Sequence, residues 1–149
     1  AALGSFLDAG RCLLITSEGY HKTWGLTSFM SDYLGVATVT NDVNYTSVTG
    51  VGPAFAALGS FALSDNPSWN SPAAITPNDT AEVAFSYSGG SAGISKETGL
   101  YHSVYLGFGL EDIALNGRTE ILEAFFNWCN GVVTPPSSSD YLYLPFIIR

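Results

Sequence analysis

The four-residue run Cys12-Leu13-Leu14-Ile15 constrains this chain more than any other feature. It is apolar without alternation and is bounded by turn residues, Gly10 before it and Ser17-Glu18-Gly19 after it. A short continuous run of this kind is what a strand covered on both faces shows, so the segment reads as a central parallel strand. Leu3, Phe6 and Leu7 recur at about one helical turn ahead of it, and Gly10 supplies the left-handed residue that ends a helix. Ligands of open α/β sheets sit beyond the carboxyl ends of strands, which places Thr16, Ser17, Glu18, Gly19, Tyr20 and His21 where such a fold keeps its chemistry.

A second strong strand is expected at Leu100 to Phe108, where Val104, Tyr105 and Leu106 stand together, again in a central position. Trp24, Leu26, Phe29, Met30, Tyr33 and Leu34 are spaced to form one helical face over Thr23 to Leu34, ended by Gly35. Val36 to Val51 alternates Val and Thr and reads as a short edge strand with a hairpin. Ala81 to Tyr87 followed by Ser88-Gly89-Gly90-Ser91 predicts a hairpin into Ala92 to Lys96. Gly52 to Ser60 reads equally as a helical turn or a loop. Phe61 to Asn78 reads as an irregular excursion pinned by Trp69. A closing helix from about Gly117 to Asn130 is expected, capped by Asn116 and carrying Ile121, Leu122, Phe125, Phe126 and Cys129 on one face.

The chain's 149 residues suit one domain, expected over residues 1–133. Residues 134–140 (T-P-P-S-S-S-D) form a linker, and residues 141–149 an apolar, strand-like tail. Tyr141, Leu142, Tyr143, Leu144, Phe146, Ile147 and Ile148 are too apolar to remain solvated and are candidate binding residues; Pro145 restricts the segment to a sheet edge. A helix at the very start of the chain suggests a processed or excised piece, with strands preceding Ala1 missing.

Only 12% of residues are charged, and thirteen acids against five bases give a net charge of -8. That balance repels phosphate backbones and leaves no basic cluster, so no nucleic-acid partner is expected. No run approaches the roughly 20 apolar residues of a membrane span. A surface poor in ions is common in secreted proteins. Cys12 and Cys129 are compatible with two buried thiols or with one disulfide, and neither has metal-ligand spacing.

Ser17, Glu18 and His21 at the strand end are candidate catalytic residues: a trailing Gly19 suits a strand-to-helix elbow, although the leading glycine is absent. Helix capping by Thr16 and Ser17 accounts for the same residues. Glu111 and Asp112 follow the second central strand, and if the two strands are neighbours they face Glu18 as paired carboxylates fit for acid–base work. His102 opens its strand, at the wrong end to join Glu111.

The segments A-L-G-S-F-L-D-A-G-R-C-L-L-I-T-S-E-G-Y, G-L-T-S-F-M-S-D-Y-L-G-V, Y-H-S-V-Y-L-G-F-G-L-E-D-I and T-E-I-L-E-A-F-F-N-W-C together span most of Ala1 to Gly131. They resemble the class I glutamine amidotransferase-like domains attached to secreted bacterial proteins, including C-terminal regions of immune-inhibitor-A-type metallopeptidases. The resemblance implies a flavodoxin-like α/β fold of three layers, a mostly parallel sheet flanked by helices, of which this chain would hold the C-terminal half with an added β-hairpin. The family's elbow cysteine and His-x-Glu pair are missing here: Cys12 opens its strand, and Gly109 stands two residues before Glu111. The expectation is therefore a non-catalytic accessory or interaction domain of an extracellular or cell-surface bacterial protein, without a cofactor. Its partners would be other domains of the same parent protein or neighbouring subunits. The alternatives are a self-assembling filament or surface-layer subunit that donates its tail strand, and a hydrolase with its elbow at Ser17 and Glu18.

Overall fold

The computed structural model describes residues 2–64 and 71–131. The chain begins with helix α1 (Ala2–Asp8), reverses at Gly10 with φ 75°, and enters strand β1 (Cys12–Thr16). Two short helices follow, α2 (Tyr20–Trp24) and α3 (Ser28–Asp32), then strands β2 (Val36–Thr40), β3 (Ser47–Gly50), β4 (Ser60–Ala62), β5 (Ala74–Pro77), β6 (Glu82–Tyr87), β7 (Gly90–Glu97) and β8 (His102–Leu106). A 3₁₀ turn (Leu110–Asp112) leads to the long helix α4 (Leu115–Asn130).

Strands β1-β8-β7-β6-β3-β4 form, in that order, one curled, mixed six-stranded sheet, a half-barrel; β2 and β5 pair separately. This corrects the expected three-layer, mostly parallel α/β fold. Among the described residues only β1 and β8 run parallel, and every other pairing is antiparallel. The physical reason is that a continuous apolar run reports coverage of both faces and carries no information about the neighbour's direction. Thr98 to Tyr101 turn the chain directly from β7 into β8, with Thr98 N donating to Tyr101 O at 3.0 Å, so the pair must be antiparallel. The β6–β7 hairpin, in contrast, matches its sequence signal, with Tyr87 opposite Gly90.

Several local expectations also shift. Thr23 to Leu34 is not one helix: Gly25 (φ 66°) stops α2, and Thr27 Oγ1 accepts a hydrogen bond from Met30 N at 3.3 Å to start α3 anew. The apolar spacing does not make one buried face: Met30 and Leu34 are buried, whereas Trp24 and Leu26 are exposed. Helix α4 begins at Leu115 with Ala114 in the capping position and no side-chain cap, so Asn116 does not serve. The Arg118 side chain donates instead to Ile113 O and Glu111 O, both at 2.6 Å, fastening the helix to the preceding turn. Phe61 to Asn78 contains β4 and β5 as well as loop; Trp69 lies outside the described residues.

Two apolar clusters cover the two sides of the sheet. On one, Ile121, Phe125 and Cys129 of α4 pack with Val104, Leu106, Phe85 and Phe108, joined by Leu14 and Cys12. On the other, Met30 and Leu34 with Val36 and Ile75 cover Tyr105 and Ile94, joined by Leu13 and Ile15. Each large side chain so buried contributes about 1.5–3 kcal/mol. All five residues of β8 are buried, whereas all five of β1 are only half-buried. Cys12 and Cys129 form a disulfide, Cα to Cα 6.1 Å, that ties the start of β1 to the end of α4.

Candidate functional site

The two loops beyond the parallel pair meet, as neighbouring strands require. Thr16 Oγ1 donates to Phe108 O at 2.7 Å and accepts from Leu110 N at 2.9 Å, lacing the loop after β1 to the loop after β8. Ser17 N donates to Leu106 O at 3.1 Å, extending the ladder by one residue.

Ser17 is 8% exposed, and its Oγ accepts from Gly19 N at 3.3 Å. The hydroxyl thus closes a local turn and does not cap α2, which starts at Gly19 with no side-chain cap. His21 lies on α2 with Nδ1 3.4 Å from Asn41 Nδ2. No hydrogen bond among the described residues joins His21 to Ser17, Glu18 or Glu111.

Glu18 is the perturbed group of the site. Its Oε2 accepts from Ser71 N at 2.9 Å, while Oε1 is buried without a partner. Burial, and then the nearby Asp112 and Glu111 carboxylates, push its pKa up to about 7 against the lowering effect of the Ser71 hydrogen bond. Asp112 Oδ1 accepts from Ser64 Oγ at 3.1 Å, and the Glu111 side chain is exposed and turned back over Gly109. Three carboxyl groups therefore share the end of the sheet, and at neutral pH Glu18 is poised between its two protonation states.

His102 is at the opposite end of the sheet, as its place at the start of β8 demands. It is 1% exposed, and its ring stacks on Trp128 with centroids 3.9 Å apart. Nε2 lies 3.6 Å from Glu97 Oε1. Burial lowers its pKa below the ordinary histidine value, with Glu97 acting the other way. The ligand atoms of Cys12, His102 and Cys129 lie within 4.8 Å of one another. The two sulfurs are bonded to each other, which removes the thiolates a metal would require. Sequence reading missed this cluster because its members are far apart in the chain; the signal was that Cys12 and His102 each open a strand, and the parallel register sets them side by side.

Sequence reading also missed a surface groove of about 420 Å³ lined by Ala2, Leu3, Tyr20, Trp24, Thr27, Ser28 and Phe29. Trp24 is 63% exposed beside it, and Leu26 is 49% exposed. The groove lies where α1, α2 and the start of α3 meet. The candidate binding residues Tyr141, Leu142, Tyr143, Leu144, Phe146, Ile147 and Ile148 lie outside the described residues. No described helix is long and apolar enough to cross a membrane. No family model, curated protein or solved structure matches this chain.

Proposed function

We propose that this chain is a non-catalytic accessory or interaction domain of a secreted or cell-surface bacterial protein, working by contact with other domains of its parent or with neighbouring subunits. The observation that carries this reading is the apolar groove between α1, α2 and α3, where Trp24 stands largely exposed, with Leu26 exposed two residues on. Large exposed apolar side chains gathered on one face mark contact surfaces, and tryptophan dominates the energetics of such contacts. The low charge content agrees with a secreted or cell-surface setting.

The test is association of the domain with the adjoining parts of its parent protein, by sedimentation velocity, for the natural chain and for Trp24→Ser with Leu26→Ser. The double variant should weaken association by roughly 10- to 100-fold, as loss of a buried aromatic anchor does. Unchanged association, or fluorophosphonate labelling that depends on Ser17, would overturn the reading. A hydrolase remains the second reading because Glu18 titrates near neutrality beside two other carboxyl groups. Turnover of an ester or glycoside that disappears in Glu18→Gln would establish it.

A further inference from the structure

Among the described residues, strand β1 has a partner on one side only. It stands at the end of the sheet order, paired with β8 alone. Ser17 N donates to Leu106 O, and main-chain direction alternates along a strand, so Leu13 and Ile15 turn their peptide groups to β8. The peptide groups of Cys12, Leu14 and Thr16 therefore face outward, and no hydrogen bond among the described residues reaches that side. The side chains tell the same story. Leu13 and Ile15 lean on one apolar cluster and Cys12 and Leu14 on the other, yet the whole strand is half-exposed where β8 is fully buried. An apolar edge left open in this way is a template for another strand.

We propose that an extended segment adds to the free edge of β1, parallel to it, and that its occupant is this chain's own Tyr141–Ile148. The path of the chain favours this occupant. Gly131 follows Cys129 by two residues, and the Cys129 Cα is 6.1 Å from that of Cys12, where the open edge begins. The chain thus leaves the described fold beside the start of the strand it would pair with. Residues 132–140 intervene; fully extended they reach about 30 Å, ample to pass to the outer side of β1. Entering at the Cys12 end, the segment runs in the direction of β1.

The chemistry also fits. Tyr141, Tyr143 and Ile147 alternate with Leu142, Leu144, Phe146 and Ile148, so both faces of the added strand are apolar, as the two clusters beside β1 require. Residues 141–148 carry no charge. Pro145, which lacks an N–H, is admissible because the added strand becomes the new edge. A short tether gives the intramolecular segment an effective concentration in the millimolar range, ahead of competitors in solution. The inference is independent of the groove reading: one concerns a backbone edge, the other Trp24 and Leu26.

Hydrogen exchange read residue by residue on the full chain tests it, against a chain ending at Asp140 and against Leu142→Asp with Leu144→Asp. The Leu14 and Thr16 amides should exchange at least about tenfold faster in both altered chains than in the full one, while Val104 and Leu106 keep their protection and report an intact fold. A synthetic peptide of residues 141–149 added to the truncated chain should restore the slow rates. Equal rates at Leu14 and Thr16 in all three chains overturn the proposal. Protection that rises with protein concentration, with a doubled light-scattering mass, overturns the intramolecular occupant and assigns the edge to the tail of a second copy. Protection that survives truncation overturns the tail as occupant in either form.

Discussion

Replacing Glu18 by glutamine should make the protein more stable at pH 8 and leave it nearly unchanged at pH 4. The carboxyl is ordinary in the unfolded chain, with a pKa of 4.5, and raised to about 7 in the fold by burial first and by Asp112 and Glu111 after it. Between those values the folded state holds a proton that the unfolded state has released, so stability falls as pH rises through the window and the full penalty is present above pH 7. The separation of 2.5 (7 minus 4.5), at about 1.4 kcal/mol per pH unit, caps the penalty at about 3–4 kcal/mol. Glu18 is only half-buried, and solvent screening reduces that to about 1–2 kcal/mol. Glutamine can still accept from Ser71 N through its carbonyl oxygen, and its amide gives the neighbouring carboxylates a donor in place of a like charge.

The assay is urea unfolding of both proteins at half-unit intervals from pH 4 to pH 8.5. The difference between the two curves isolates Glu18, because His102 contributes equally to both. That difference should open from near zero at pH 4 to about 1–2 kcal/mol above pH 7, about 2–6 °C in Tm for a chain of this size. A difference that does not depend on pH, or a glutamine variant less stable at pH 8, would refute the claim that burial beside two acids is what defines this group.

Three further outcomes follow from other parts of the fold. Reducing the disulfide, or Cys129→Ser, should cost up to about 5 kcal/mol because the sequence separation closed is 117 residues; thermal unfolding with and without a phosphine reductant measures it, and a thiol assay on the native protein should find none free. Gly35→Ala should destabilise by about 1–3 kcal/mol, since Gly35 has φ 76° and its added Cβ would strike Ala81 Cβ; denaturant midpoints measure this, and an unchanged midpoint would show that the β2–β5 pair moves aside freely. The His102 imidazole should titrate below 6.5, the ordinary value from which burial lowers it, so its contribution to stability is lost as pH falls from that value. Trp128→Ala should raise its NMR-detected pKa toward 6.5.

Much of the local structure was legible. Gly10, Gly35 and the Ser88–Ser91 turn marked real ends and a real hairpin, because glycine acts through its own backbone freedom wherever it stands. Apolar periodicity located α4 for the same kind of reason, but its start was misread, since Arg118 fixes that end through a tertiary contact no local pattern encodes. The paired carboxylates were legible as far as β1 and β8 could be set side by side; the pKa of Glu18 was not, because it depends on Ser71 and on burial by chain distant in sequence. The Cys12, His102, Cys129 cluster depends on strand register and the Trp24 groove on how α1, α2 and α3 meet, both decided by packing.

Strand β1 is where the sequence and the fold disagree most informatively. Its composition reads as that of a central strand, and among the described residues the fold places it at the edge of the sheet. Strand β8, with a comparable apolar run, meets the expectation completely because β7 and β1 flank it. The two strands differ in neighbours, not in character. A composition suited to the interior and a position at the rim can be reconciled by adding one more strand, and the apolar segment of residues 141–148 follows, after residues 132–140, from a point two residues beyond the disulfide that anchors the start of β1.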